Sequence, residues 1–220
     1  MKNLEIYIHI PFCVRKCEYC DFLSFPADDD AKLRYVKGLM AEMIFYGPLM
    51  KNYQVSSVYI GGGTPSSIDE QWIAALMEGV FDCFNVLPDA EISIECNPGT
   101  LSREKLLAYR DAGINRLSIG LQSANNDELK LLGRIHTFEQ FVTNYEVARN
   151  VGFKNINVDL MYGLPGQSAS QYMATVNKII RLHPDHISAY SLIVEKGTPF
   201  YEKYSLLVPC PPSLRGCLYL

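Results

Sequence analysis

The spacing of apolar and polar residues changes repeatedly along the chain, and the changes predict strands that alternate with helices. Short apolar or period-two runs rich in β-branched residues are typical of strands. They occur at 4–10, 55–60, 91–95, 116–120, 155–160 and 186–192. Apolar residues at helical spacing predict helices at about 31–50, 69–84, 102–113, 126–132, 138–151 and 168–182. A helix after the last strand is expected to be missing or incomplete.

Strict alternation of strand and helix predicts an α/β fold with parallel strands and right-handed crossovers. Two arrangements are compatible with it, a doubly wound sheet and a partial (β/α)6 TIM-like barrel. Polar or glycine-rich segments follow the strands at Cys13–Cys20, Gly61–Pro65, Glu95–Pro98, Gln122 and Asp159–Gly166. A barrel brings all of them to one mouth, whereas a doubly wound sheet brings together only those at its switch point. We therefore predict the partial barrel.

The composition is ordinary for a globular protein and excludes few functions. The chain has 220 residues, of which 48% are hydrophobic and 20% charged. A net charge of −4 gives no electrostatic reason to expect nucleic acid or an anionic membrane as a partner. There is no apolar run of the roughly 18 residues that a spanning helix needs, and no signal-peptide pattern. The expected location is therefore the cytoplasm.

The last residues depart from this pattern. We predict a core domain at 1–204 and an irregular tail at 205–220, the product of a truncation or a frame shift. Pro209, Pro211 and Pro212 exclude a helix in the tail. A further C-terminal domain is expected to be absent.

Three of the seven cysteines, Cys13, Cys17 and Cys20, follow the first strand with the spacing Cys-x3-Cys-x2-Cys. Thiolates at this spacing can bind one soft metal centre from a single loop. Three ligands leave one iron of a [4Fe–4S] cluster open to a small molecule, which is the interpretation we favour. A zinc site completed by His9 and a Cys17–Cys20 redox pair are the alternatives. The remaining cysteines are expected to be ordinary thiols: Cys83, Cys96, Cys210 and Cys217.

The segment Gly61-Gly62-Gly63-Thr64-Pro65 matches neither a dinucleotide fingerprint nor a P-loop. Its glycines exceed what a turn requires, and they allow the backbone to approach a ligand closely. Glu95, Gln122, Arg134 and Asp159 lie at or just beyond strand ends. At one mouth they would offer acceptors for an ammonium group and ribose hydroxyls, and a cation for a carboxylate.

The cysteine triplet, with Tyr19 just before its last member, resembles the signature of the radical S-adenosylmethionine (SAM) superfamily. Four motifs resemble the oxygen-independent coproporphyrinogen III oxidase family within it. They are YIHIPFC at 7–13, GGGTPS at 61–66, IGLQS at 119–123 and DLMYGLPGQ at 159–167. The resemblance covers about residues 4–201.

This resemblance implies a [4Fe–4S] cluster on Cys13, Cys17 and Cys20, with the amino and carboxylate groups of SAM on the fourth iron. It also implies reductive cleavage of SAM and, in this family, a second SAM molecule. The residues that it implies for SAM binding are Tyr7, Tyr19, Gly62, Gly63, Thr64, Glu95, Gln122, Arg134 and Asp159.

Two departures favour one branch of the family. True oxidases have a further cysteine where this chain has Phe22, and they have a long arm before the first strand. Both differences are similar to the HemW-type heme chaperone branch, which implies heme trafficking with heme or a porphyrinogen, an electron donor and a haemoprotein client as partners. An oxidase, a zinc-stabilised structural protein and an inactive fragment are the alternatives, so whether the chain is an enzyme stays open.

Overall fold

Six parallel strands form one open sheet in the order β1-β2-β3-β4-β5-β6. The computed structural model describes residues 2–204. The strands are β1 Lys2–Ile10, β2 Tyr53–Gly62, β3 Val86–Cys96, β4 Arg116–Gln122, β5 Asn155–Tyr162 and β6 His186–Ser191. Each strand pairs in parallel with the next one in sequence. This order has no reversal and excludes a doubly wound sheet, so the predicted partial (β/α)6 barrel is confirmed as a half-barrel.

Helices α1 to α6 lie between successive strands, and α7 follows the last strand. They are α1 Asp29–Tyr46, α2 Glu70–Cys83, α3 Arg103–Asp111, α4 Asn126–Leu131, α5 Phe138–Asn150, α6 Ala169–Ile180 and α7 Pro199–Tyr204. Short 3₁₀ turns occur at Gly47–Met50, Pro65–Ser67 and Pro98–Thr100. The expected incomplete last helix is the six-residue α7. In the part of the chain that the structure describes, no helix is long and apolar enough to cross a membrane.

Local sequence explains where the elements begin and end. The Asp28 carboxylate caps α1 by accepting from the N–H of Ala31 at 2.7 Å, and Ser168 and Gln171 form a capping box at the start of α6. The first helix was predicted to reach residue 50, but α1 ends at Tyr46 and the chain continues as a 3₁₀ turn. Pro48 causes the difference because it has no N–H for a helical hydrogen bond.

The two faces of the sheet differ in polarity. Isoleucine, leucine and valine side chains from one face pack with the helices in the main core, where Ile60, Ile94 and Ile119 are fully buried. The opposite face carries polar or small residues at the alternate positions, among them Ser118 and Asn157. Because side chains alternate between faces along a strand, the apolar neighbours point to the helices and the polar ones point into the half-barrel.

The predicted tail at 205–220, with Cys210 and Cys217, lies outside the described residues. The boundary between core domain and tail therefore stays a prediction.

Candidate cofactor site

A cavity of about 340 Å³ lies at the carboxyl ends of the strands. It gathers segments that are far apart in the sequence, as the barrel interpretation requires. Nearly all the residues singled out from the sequence line it: Cys13, Cys17, Tyr19, Cys20, Gly62, Gly63, Thr64, Glu95, Gln122, Arg134 and Asp159. Tyr7 does not line the cavity.

Main-chain hydrogen bonds hold the cysteine loop in place between β1 and α1. The N–H of Cys13 donates to the carbonyl of Phe25 at 3.1 Å, and the N–H of Phe25 donates to the carbonyl of Pro11 at 2.9 Å. The N–H of Glu18 donates to the carbonyl of Leu132 at 3.1 Å, which fastens the loop to the segment after α4. The loop is therefore anchored at its base and at its middle.

Each thiol of the triplet has a different polar neighbour. Cys13 Sγ lies 3.4 Å from Thr64 Oγ1, and Arg134 Nη1 donates to Cys17 Sγ at 3.6 Å. Cys20 Sγ lies 4.0 Å from Ser24 Oγ, and burial raises the pKa of this thiol. All three cysteines are free and partly exposed, so ligand atoms can reach them.

His9 is the residue that would complete the alternative zinc site. Among residues 2–204, no group of three His, Cys, Asp or Glu side chains is placed to hold one metal ion. His9 Nδ1 lies 3.2 Å from the hydroxyl of Tyr7, and His9 Nε2 lies 3.5 Å from the carbonyl of Leu23. The side chain of His9 therefore interacts with groups other than the thiols.

The glycine turn after β2 lies directly against the cysteine loop. A Cβ atom on Gly63 would lie 2.8 Å from the carbonyl oxygen of Phe12 and 3.0 Å from Cys13 Sγ. Gly62 has a φ of +122°, which side chains rarely tolerate. Its N–H donates to Glu95 Oε2 at 3.0 Å. Close approach and an unusual backbone conformation both require glycine here.

Two partly buried carboxylates face the cavity from β3 and β5. Glu95 accepts from the hydroxyl of Tyr59 at 2.8 Å, and Asp159 accepts from Ser118 Oγ at 3.0 Å and from Asn157 Nδ2 at 2.7 Å. Burial raises the pKa of both carboxyl groups, and these hydrogen bonds partly offset the effect. The bonds fix the carboxylates in orientation, so they are prepared to accept hydrogen bonds from a ligand.

Gln122 and Arg134 have buried polar atoms that the protein leaves without partners. Gln122 has a φ of +68° and follows a register shift in β4. Its Nε2 donates to the hydroxyl of Tyr190 at 3.2 Å, but its Oε1 has no hydrogen-bond partner among the described residues. Arg134 Nη2 donates to the carbonyl of Gly120 at 2.6 Å, and its Nε is likewise unpartnered. Each such atom costs about 1–3 kcal/mol, because its hydrogen-bonding capacity in water is not replaced in the folded protein.

The two predicted tyrosines lie in different surroundings. Tyr19 packs beside Phe200, with ring centroids 6.4 Å apart, and burial raises its pKa. Tyr7 is 58% exposed and stacks on Tyr59, with ring centroids 6.1 Å apart. The structure therefore brings Tyr19 to the cavity and leaves Tyr7 outside it. The ligand-binding roles of both stay predictions.

Several cavity residues were given no individual role from the sequence, although the segment Glu95–Pro98 was predicted to lie at the mouth. Asn97, Ser118 and Tyr190 line the cavity, and so does Cys96, which was expected to be an ordinary thiol. Cys96 is buried, and burial strongly raises its pKa, so it remains a thiol. Ser118 interrupts an apolar strand at an inward position, which is a signal that the sequence contains.

The donor set fits a thiolate-ligated cluster with a small polar cofactor beside it. The three thiols supply soft ligands, the glycine turn supplies backbone, and Gln122 and Arg134 supply polar side chains that line the cavity. A half-barrel of parallel strands that carries a three-cysteine loop at its mouth is the architecture of one known class of protein. Residues 7–179 match the Radical SAM superfamily, and the chain belongs to that superfamily.

Curated relatives indicate which members of the superfamily the chain resembles. The chain is 40% identical over 197 residues to the heme chaperone HemW of Bacillus subtilis, covering 89% of this chain and 52% of the relative. It is 39% identical over 210 residues to HemW of Escherichia coli, covering 93% and 54%. It is 35% identical over 222 residues to the mitochondrial radical S-adenosyl methionine domain-containing protein 1 of Bos taurus, covering 99% and 50%. The chain thus spans about half the length of the curated relatives that it matches.

Solved structures of radical SAM proteins superpose on the chain. The coproporphyrinogen III oxidase HemN of Escherichia coli, a radical SAM enzyme, superposes with a TM-score of 0.81 at 33% identity, covering 87% of this chain and 44% of HemN. Streptococcus suis SuiB bound to S-adenosylmethionine superposes with a TM-score of 0.64 at 20% identity, covering 90% of this chain and 43% of SuiB, and this supports the fold alone. The predicted superfamily and the predicted resemblance to the oxidase family and its HemW branch are confirmed.

Proposed function

We propose that the chain is the radical SAM core of a HemW-type heme chaperone, which binds a [4Fe–4S] cluster and SAM and serves heme delivery to haemoproteins. One observation carries the proposal: three loop cysteines, the glycine turn and the polar strand ends border a single cavity. The relatives named heme chaperone HemW support the chaperone assignment. Because the chain spans about half of their length, heme binding and client delivery belong to this proposal.

Different residues of the site would bind the cluster and the different parts of SAM. Cys13, Cys17 and Cys20 would hold three irons, and a bound cluster supplies the electron that cleaves SAM. The backbone of Gly62, Gly63 and Thr64 would contact the methionine end of SAM, with Tyr7 and Tyr19 nearby. The rest of the cofactor, and a second SAM molecule if one binds, would be held by Glu95, Gln122, Arg134 and Asp159.

The remaining parts of the proposal concern the binding partners of the chain and its location in the cell. An electron donor must reach the cluster, heme or a porphyrinogen would be the second ligand, and a haemoprotein would be the client. We propose the cytoplasm as the location, with no nucleic acid partner. The mitochondrial name of the bovine relative makes cell fractionation the direct check of the location.

Oxidation of coproporphyrinogen III is the second candidate function, favoured by the superposition on HemN. Phe22 opposes it, because this position would need a further cysteine in a true oxidase. Phe22 is 71% exposed and lines the cavity, so a cysteine there would be accessible. An anaerobic assay with reductant and SAM decides: protoporphyrinogen formation supports the oxidase, and heme binding without turnover supports the chaperone.

The cluster is tested by anaerobic reconstitution of wild type and Cys17→Ala. Wild type should acquire thiolate-to-iron absorption near roughly 400 nm together with iron and sulfide, and Cys17→Ala should lose nearly all of it. Cys83→Ala is the matched control, because Cys83 is a free, partly exposed thiol that does not line the cavity. An unchanged spectrum in Cys17→Ala removes Cys17 from the ligands, and zinc without iron or sulfide in wild type removes the cluster.

A further inference from the structure

Asn97 is a buried polar residue at the point where β3 reaches the cavity. It is only 8% exposed, and it lines the cavity two residues beyond Glu95. Buried amides in proteins are nearly always hydrogen-bonded, so the partners of each amide atom show how the side chain is oriented.

The oxygen of this amide is fully engaged. Asn97 Oδ1 accepts from the N–H of Gly99 at 3.1 Å and lies 3.1 Å from His136 Nδ1. The backbone N–H can only donate, so it fixes which end of the amide is the oxygen. His136 must then donate from Nδ1, which suits a neutral ring, since burial and the nearby Arg134 lower its pKa to about 3.

The nitrogen of the amide has no such partner. Among residues 2–204 no hydrogen bond from Asn97 Nδ2 is formed, and Nδ2 is not among the buried polar atoms closed off without a partner. Asn97 lines the cavity and its oxygen faces Gly99 and His136, so the amide nitrogen lies on the side of the amide away from these two residues.

Further contacts prevent the residue from turning away. The N–H of Asn97 donates to Ser66 Oγ at 3.0 Å, and Thr100 Oγ1 donates to the carbonyl of Asn97 at 2.9 Å. Lys105 Nζ donates to the carbonyl of Ser66 at 2.8 Å, which secures Ser66 in turn. The side chain is thus pre-oriented, as binding sites require.

We propose that Asn97 is a further binding residue of the cavity, whose Nδ2 donates a hydrogen bond to an acceptor oxygen or nitrogen of the adenosyl cofactor. His136 is its positioning residue, because it bonds to the amide oxygen and does not itself line the cavity. This inference rests on the proposed function and adds to it a neutral donor beside the acidic Glu95.

The test is calorimetric binding of S-adenosylhomocysteine, which needs no electron, to the anaerobically reconstituted chain. Asn97→Asp keeps an oxygen for Gly99 and His136 but removes the donor, and Asn97→Ala removes the donor without adding charge. Both should weaken Kd by about tenfold. Asn125→Asp is the matched control: Asn125 caps α4 and does not line the cavity, and aspartate caps equally well, so Kd should not change.

The outcomes separate the two proposals. If wild type binds S-adenosylhomocysteine and both Asn97 variants bind equally well, the role of Asn97 is refuted and the proposed function stands. If reconstituted wild type does not bind it, the proposed function fails and the role of Asn97 fails with it.

A second pair of variants keeps the inference testable if Asn97 variants fold poorly. His136→Phe removes the donor to Asn97 Oδ1 and should weaken Kd, whereas His136→Asn can donate from its amide and should restore Kd. A purely structural role would lower the melting temperature of His136→Phe and leave Kd unchanged, which would overturn the positioning role.

Discussion

The amino and carboxyl ends of the sheet carry similar polar residues, but the hydrogen bonds of these residues are completed to different extents. At the amino ends, Asn115 accepts from the N–H of Ile92 at 2.9 Å and donates to the carbonyl of Ala90 at 2.8 Å. Asp185 accepts from the N–H of Ile156 at 2.9 Å and pairs with Arg149 at 2.8 Å. These contacts join neighbouring strands and leave the amide of Asn115 with both of its ends bonded.

At the carboxyl ends, polar groups are fixed in orientation but incompletely satisfied. Five buried side-chain atoms without partners occur in the described residues, and four of them belong to the segment from Gln122 to His136. The amino ends therefore use polar side chains to join neighbouring strands, whereas the carboxyl ends place polar side chains such as Glu95 and Asp159 around a cavity. This division is the one expected of barrels, whose sites lie at the carboxyl ends of the strands.

The largest effect should come from filling the space between the glycine turn and the cysteine loop. Gly63→Ala places a Cβ 3.0 Å from Cys13 Sγ and 2.8 Å from the Phe12 carbonyl, so the loop must move. We expect most of the cluster absorbance near roughly 400 nm to be lost on reconstitution, with the unfolding free energy falling by about 1–3 kcal/mol. Gly38→Ala in α1 is the control, since nothing lies within 4 Å of its Cβ. Full cluster content in Gly63→Ala would refute the steric argument.

The amino end should show the opposite behaviour. Asn115→Ala leaves the Ile92 N–H and the Ala90 carbonyl without their partner, so the unfolding free energy should fall by about 1–3 kcal/mol. Urea denaturation of the cluster-free protein measures the loss. Binding of S-adenosylhomocysteine to the reconstituted variant should be unchanged. Asn177→Ala, at an exposed position of α6, is the matched control. Weaker binding in Asn115→Ala would mean that the two ends are coupled.

The smallest effect concerns pH and His136. Burial, with the nearby Arg134 as a smaller cause, lowers its pKa to about 3, so the folded protein holds the ring neutral while the unfolded chain protonates it below roughly pH 6.5. Stability from this group is present above that pH and is lost as the pH falls toward 3. From about pH 7 to about pH 5.5, wild type should lose about 1 kcal/mol more than His136→Phe. Urea denaturation at the two pH values measures both losses, and an equal loss of unfolding free energy in wild type and His136→Phe would contradict this.

The sequence alone was enough to predict those strands and loops whose pattern lies within a few neighbouring residues. Short apolar or period-two runs identified all six strands, and the spacing of Cys13, Cys17 and Cys20 identified their loop. Boundaries were less certain where one residue decides them. Pro48 shortens α1, and β3 begins at Val86 rather than at residue 91 because Val86 pairs with Val55 of the neighbouring strand.

The sequence indicated which residues lie around the cavity better than it indicated how their side chains are oriented. Strand ends placed Glu95, Gln122 and Asp159 at one mouth, but only the sheet register could show that Tyr190 meets Gln122. The orientation of Asn97 depends on His136, which lies 39 residues further along the chain. Tyr7 shows the reverse case: the motif includes it, while its exposed side chain stacks on Tyr59 and does not line the cavity.

The uninterrupted strand order has a consequence for synthesis. Every strand pairs only with strands adjacent to it in sequence, so no pairing has to wait for a distant part of the chain. As the chain leaves the ribosome, each new strand meets an edge that is already formed, which favours stepwise growth from the amino terminus. The cysteine loop, which follows the first strand, is then made before the strands that complete its cavity.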